Sequence, residues 1–102
     1  MLIPHFIHGQ NTFGDSQRAS DVFNPATGQV TGRVPLASTA DVESAIASAQ
    51  AAFPAWAATT PLNRARVMFK YKELLEKHAD EIAMAITLEH GKVLSDAKGE
   101  LT

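Results

Sequence analysis

The spacing of apolar residues changes once along this 102-residue chain, near Pro35, and that change points to an α/β fold. Before it, short apolar runs are separated by turn-forming residues. After it, apolar side chains recur every three or four positions, the period of a helix. Phe6-Ile7-His8-Gly9-Gln10 reads as a short strand, and Asn11 to Ser20 is polar and turn-rich. Val22-Phe23 then leads into Asn24-Pro25-Ala26-Thr27-Gly28. Proline presets φ for a turn there, and glycine supplies a positive φ, so Gln29 to Val34 is the returning strand of a hairpin. Pro35 has no backbone N–H and weakens further sheet pairing.

Helices occupy the rest. Ser38 or Thr39 can cap the first, with Asp41 and Glu43 at its positive end. Val42, Ile46, Ala49 and Phe53 follow one face, with Ala45 and Ala52 beside them. Pro54 is expected to end this helix and leave Trp56 as an anchor beyond it. Thr60-Pro61 starts the second helix, which carries Ala65, Met68, Phe69, Lys72 and Leu75 on one face. Asp80 is expected to cap the third, which holds Ile82, Ala83, Ile86 and Leu88, and Gly91 stops it in a left-handed conformation. Ser95 is expected to cap a fourth helix from Asp96 to Thr102. That helix has barely two turns and contains Gly99, and isolated helices so short are marginal. A lone two-stranded hairpin is marginal too. Both ends of the chain therefore call for partners that it does not contain.

Composition removes several classes of function. A net charge of -2 and a pI near 6.0 argue against a surface built for nucleic acid or anionic lipid. Without cysteine there is no disulfide framework, thiolate metal site or cysteine nucleophile in these residues. The opening Met1-Leu2-Ile3-Pro4-His5-Phe6 lacks the basic and apolar regions of a signal peptide. No run approaches the roughly 18 apolar residues of a membrane span. A cytoplasmic location is the expectation.

The short motifs have plain structural readings. The six glycines never form G-x-G-x-x-G or a complete Walker loop. Gly91-Lys92 resembles the end of such a loop but also reads as a helix C-cap. Ser95-Asp96-Ala97-Lys98 matches the S-x-x-K of serine–lysine enzymes without their companion motifs, and Ser95 reads better as an N-cap. His5 and His8, on one strand, would point to opposite faces and make a poor metal pair. His78 and His90 sit near helix ends. Glu89-His90 is an acid–imidazole neighbour pair, but adjacent helical residues diverge by about 100° and form no automatic dyad. Phe53 and Trp56 read as packing anchors. No catalytic, cofactor-binding or metal-binding residue is assigned within the chain.

Taken in order and spacing, several segments resemble the amino-terminal region of the aldehyde dehydrogenase superfamily. They are Phe6-Ile7-His8-Gly9, Val22 to Gly28, the helix from Val42 to Phe53 with Trp56, Arg64-Ala65, and Glu89-His90-Gly91-Lys92. The stretch from Ile86 to Glu100, with His90 and the Asp96-Ala97-Lys98-Gly99-Glu100 run, is most similar to the CoA-acylating methylmalonate-semialdehyde branch. The resemblance implies chemistry in which a cysteine thiolate attacks the aldehyde, hydride passes to NAD, and CoA takes the acyl group with loss of carbon dioxide. It also implies that the nucleophile, the oxyanion-stabilising asparagine and the cofactor-ribose contacts lie outside residues 1–102. A substrate-holding arginine is expected just after Gly99-Glu100.

The chain then corresponds to an incomplete amino-terminal part of the NAD-binding domain, with strands about 6–34 and three to four helices about 39–102. It is expected to be inactive alone and to bind neither NAD nor CoA well. Its expected partner is the remainder of the dehydrogenase polypeptide, homo-oligomeric in the full-length family, with no nucleic acid and no membrane. The family's monovalent-cation position would fall near the Phe23 carbonyl and the Glu89 carboxylate. A stand-alone helical interaction module on the same scaffold is the competing reading.

Overall fold

A computed structural model describes all residues from Met1 to Thr102. Four strands precede four helices: β1 (His5–Ile7), β2 (Gln10–Thr12), β3 (Ala19–Phe23), β4 (Val30–Pro35), α1 (Thr39–Ala58), α2 (Pro61–Lys77), α3 (Ala79–His90) and α4 (Leu94–Gly99). The strands form two separate antiparallel pairs, β1–β2 and β3–β4. The chain divides into two units, residues 1–23 with 30–58, and residues 24–29 with 59–102.

In the first unit, the expected single strand from Phe6 to Gln10 is instead a hairpin. His5 pairs with Thr12 and Ile7 with Gln10, and the chain reverses at His8-Gly9. Both turn residues have positive φ, 54° at His8 and 72° at Gly9. A two-residue hairpin loop of this kind matches the twist of its strands, and histidine is among the side chains that tolerate the left-handed region. The polar segment after Gln10 accordingly supplies β2 before the turn residues begin.

Strands β3 and β4 pair from Ala19↔Pro35 to Phe23↔Val30, with an irregularity between Val22 and Phe23. Asp21 faces Arg33 across the ladder, and Arg33 Nε donates to Asp21 Oδ1 at 3.0 Å. The free edge of β4 is used as well. Ile3 N–H donates to the Arg33 carbonyl and Arg33 N–H to the Met1 carbonyl, both at 2.8 Å. Pro35 closes the strand as expected of a residue without an N–H.

Helix α1 begins at a reciprocal cap. Asp41 N–H donates to Ser38 Oγ (3.1 Å), while Ser38 N–H and Oγ–H donate to Asp41 Oδ2 (2.8 Å each). This capping box selects Ser38 over Thr39. The helix does not stop at Pro54 but runs through it to Ala58. Proline's fixed φ of about −65° is itself helical, so its cost is a missing donor for the Gln50 carbonyl and crowding of that turn. Trp56 is therefore on the helix and not beyond it.

The second unit contains the β3–β4 loop and the last three helices. The Asn24 side chain accepts from Ala26 N–H and its carbonyl accepts from Gly28 N–H, each at 2.8 Å. Gly28 takes φ 71°. Thr60 caps α2 by accepting from Asn63 N–H at 3.4 Å, with Pro61 in the first turn. His78 is both the C-cap of α2 and the N-cap of α3. Asp80, expected as that cap, lies inside the first turn, and its carboxylate pairs with a lysine described below. Gly91 ends α3 at φ 87° and donates to the Thr87 carbonyl. Val93, not Ser95, is the N-cap of α4, without a side-chain bond. Helix α4 starts one residue before Ser95, which puts that serine inside the first turn.

The hydrophobic side chains with no exposed surface are Ala83 and Ala97, and large apolar residues lie open on every helix. No helix is long and apolar enough to cross a membrane.

Candidate functional site

The second unit gathers the densest charge. Lys98 Nζ, on α4, donates to Asp80 Oδ1, on α3, at 2.7 Å. Lys92, between these helices, pairs with Glu100. On α2, Lys72 pairs with Glu76, four residues on. Lys72, Glu76, Asp80 and Lys98 border a cleft of about 610 Å³ whose apolar lining includes Leu75, Ala79 and Leu101. Lys98 holds the Asp80 carboxyl below the usual carboxylate range, first by hydrogen bonding and then by its charge. Lys92 does the same for Glu100. The charges of the cleft thus answer one another across the fold and leave no directed excess for an ionic ligand.

The first unit has one polar cluster. Ser38 holds the Asp41 carboxyl below the usual carboxylate range, chiefly through its backbone N–H and then its hydroxyl, and His5 adds a smaller electrostatic contribution. His5 Nε2 is buried without a hydrogen-bond partner. His8 lies in the turn, and its Nδ1 is 3.1 Å from Ser48 Oγ. The two histidines therefore differ in setting because of the hairpin, not because of strand alternation.

The remaining motifs resolve in structural terms. Lys98 of the S-x-x-K sequence is bound to Asp80. Gly91-Lys92 is a helix stop followed by an ion-paired lysine. His78 Nδ1 lies 2.9 Å from Glu81 Oε2. Phe23 belongs to the first unit and Glu89 to the second. No group of three His, Asp or Glu side chains is placed to hold a metal ion. The Asp80–Lys98 pair was not visible in the sequence, because nothing local relates residues that far apart. Only the return of α4 onto α3 brings them together.

The glycines decide whether a dinucleotide fits these residues. A Cβ at Gly14 would meet Asp41 Oδ2 at 2.6 Å, one at Gly32 the Met1 carbonyl at 3.1 Å, and one at Gly91 the Pro25 ring at 3.0 Å. At these three positions the side-chain space is filled by protein. Gly9 and Gly28 serve turns, and Gly99 is in α4. At Gly14, Gly32 and Gly91 no space is left for a phosphate to approach the backbone as it does at a dinucleotide-binding turn.

The order of strands, capped helices and left-handed stop is that of a known family. Residues 13–102 match the model of the aldehyde dehydrogenase family, and the chain belongs to that family. It is similar to a malonate-semialdehyde dehydrogenase of Pseudomonas aeruginosa, 47% identical over 97 residues, which are 95% of this chain and 19% of that protein. A human mitochondrial methylmalonate-semialdehyde/malonate-semialdehyde dehydrogenase (acylating) is 47% identical over 96 residues, 94% of this chain and 18% of the human one. A methylmalonate-semialdehyde dehydrogenase structure from Oceanimonas doudoroffii superposes with a TM-score of 0.93 at 56% identity, covering 98% of this chain and 20% of that one. A Sinorhizobium meliloti structure named for the same activity and complexed with NAD gives 0.95 at 50% identity, with the same coverage of 98% and 20%. The chain spans about a fifth of the length of these relatives.

Proposed function

We propose that these residues are the first scaffold part of an NAD-dependent, CoA-acylating oxidoreductase that converts methylmalonate semialdehyde and malonate semialdehyde to an acyl-CoA. The observation that carries this is near-complete alignment of the chain, at 47% identity, with dehydrogenases named for those aldehydes. In this reading the segment is an incomplete amino-terminal part of the NAD-binding domain. Its partner is the rest of the polypeptide, in a homo-oligomeric, cytoplasmic enzyme.

The residues present do not fit NAD or supply a thiol nucleophile, so no chemical step is assigned to them. Their role is to build and cap the helices on which the catalytic parts rest. Exposure supports this: Phe53 is 67% and Phe69 69% accessible, which is costly for aromatic side chains unless further protein covers them.

The test replaces the matching segment of the Pseudomonas aeruginosa protein with this chain. NADH formation is then followed with methylmalonate semialdehyde and CoA. The chimera should turn over, and the 102-residue chain alone should not. A folded chimera without activity toward either semialdehyde would contradict the assignment, as would turnover by the chain alone. The same exposed helices suit a stand-alone interaction module. A folded, monodisperse chain that binds an intact dehydrogenase would favour that second reading.

A further inference from the structure

We propose that residues 1–3 are a guard strap, keyed to Gly32, that closes the outer edge of β4 against pairing with the same strand of a second copy of this chain. The sequence prepares the strap, because Ile3 precedes Pro4 and a residue before proline is biased to extended backbone. Leu2 bridges Arg33 in the parallel sense. On either side of it, Ile3 N–H donates to the Arg33 carbonyl and the Met1 carbonyl accepts from Arg33 N–H, both at 2.8 Å. Met1 is 87% and Leu2 50% exposed, so these two residues are held by their backbone and not by burial of their side chains.

Gly32 is the seat of the strap. A glycine inside a strand often marks the close approach of another backbone. A Cβ at Gly32 would meet the Met1 carbonyl at 3.1 Å and Ile3 Cδ1 at 3.6 Å. Gly32 is not among the glycines with positive φ. A side chain at this position is therefore opposed by the strap and not by the conformation of β4.

The position of the strap answers to what protects the rest of the edge. Val22 pairs with Gly32 and Phe23 with Val30, which leaves Thr31 as an extra residue in β4. A bulge of this kind spoils one end of the edge for further pairing, and Pro35 spoils the other. Between them stand Gly32, Arg33 and Val34. By alternation Gly32 and Val34 turn their backbone groups to β3, and Arg33 turns its own outward. The Arg33 side chain is no free edge charge either, since it is paired with Asp21. The outward N–H and carbonyl of Arg33 are thus the template that bulge and proline leave open, and residues 1–3 occupy both. An unguarded edge pairs with another strand, and a second copy brings one with the same open centre. Two copies meeting antiparallel at Arg33 would exchange both of its bonds, each arginine still paired with its own Asp21.

Amide exchange and particle size test the strap in the chimera with the Pseudomonas remainder. Gly32→Val places a side chain in the seat. Valine favours a strand over glycine, so without a strap this change should only firm β4. Deletion of Leu2 and Ile3 removes the strap and leaves β4 untouched. In both variants the Arg33 N–H should exchange at least about tenfold faster than in the parent chimera, while the Val34 N–H, turned to β3, stays within about twofold. The deletion variant should also form assemblies larger than the parent, growing with concentration in light scattering. Adding Arg33→Pro to the deletion removes the outward donor, which an edge strand tolerates, and should reverse that growth. Unchanged exchange at Arg33 in either variant overturns the proposal. Faster exchange in the deletion variant without growth in size overturns it too, as does growth that persists with proline at position 33.

Discussion

The backbone of Gly91 and the ring of Pro25 approach so closely that a Cβ on Gly91 would stand 3.0 Å from Pro25 Cγ. The left-handed end of α3 and the Asn24–Gln29 loop therefore meet where only a residue without a side chain fits. Gly91 also has φ 87°, which an L side chain adopts at a cost of about 1–2 kcal/mol. Gly91→Ala combines both penalties. We expect it to lower stability by about 2 kcal/mol or more, from the backbone cost together with the contact. Denaturant unfolding of the chimera measures this. Pro25→Ala alone should be milder, and in its background the Gly91→Ala penalty should shrink toward the backbone cost.

This stop was legible in the sequence, as were the Thr60-Pro61 start and the Asn24–Gly28 turn, because each is local chemistry written in adjacent residues. The misreadings have separate physical causes. His8-Gly9 looked like strand interior because histidine is not a usual turn residue, yet it accepts positive φ. Pro54 looked like a terminus because proline breaks isolated helices, yet its φ is helical. Asp80 and Ser95 looked like caps because aspartate and serine are favoured N-cap residues. Asp80 is instead spent on Lys98, a partner set by topology alone. The charged cleft was not legible, because the Asp80–Lys98 pair that borders it depends on the return of α4 onto α3. The burial that would reveal its surroundings depends on surfaces outside these residues.

The Asp80–Lys98 pair should make the α3–α4 contact sensitive to acid. The hydrogen bond from Lys98, and then its charge, hold the Asp80 carboxyl in the folded protein below the usual carboxylate range. A depressed carboxylate stabilises the folded form above its unfolded value and loses that contribution as pH falls through the folded value. The loss should therefore occur below about pH 4. Asp80→Asn should flatten that part of the stability–pH curve and leave its neutral-to-alkaline shape unchanged. Unfolding curves of the chimera from acid to neutral pH check this, and an unaltered acid limb in the variant would argue against it.

The Ser38–Asp41 cap predicts a second sensitive position, remote in sequence. Ser38→Ala removes a bond to Asp41 N–H and should cost about 1 kcal/mol, the usual value of an N-cap. Gly14→Ala should reach the same cap from outside, since its Cβ would come within 2.6 Å of Asp41 Oδ2. The carboxylate must move away, and Gly14 itself is at φ 65°. If both substitutions act on one cap, their combined cost should be less than the sum of the two. A double-mutant cycle on unfolding free energy reads that coupling.

Pro54 offers a stabilising change. It stands inside α1, where it denies a donor to the Gln50 carbonyl, and the helix continues for four more residues to Ala58. Alanine at this position restores that donor and removes the ring's contact with the preceding turn. Proline's own rigidity restrains the unfolded chain and offsets part of the gain. The interior penalty of about 3 kcal/mol is the larger effect, so Pro54→Ala should stabilise by about 1–2 kcal/mol net. Thermal unfolding of the chimera should show a higher midpoint, with amide exchange slowed from Ala55 to Ala58. A lower midpoint would mean that the proline ring itself makes favourable packing contacts, and amide exchange would locate the disturbed packing along α1.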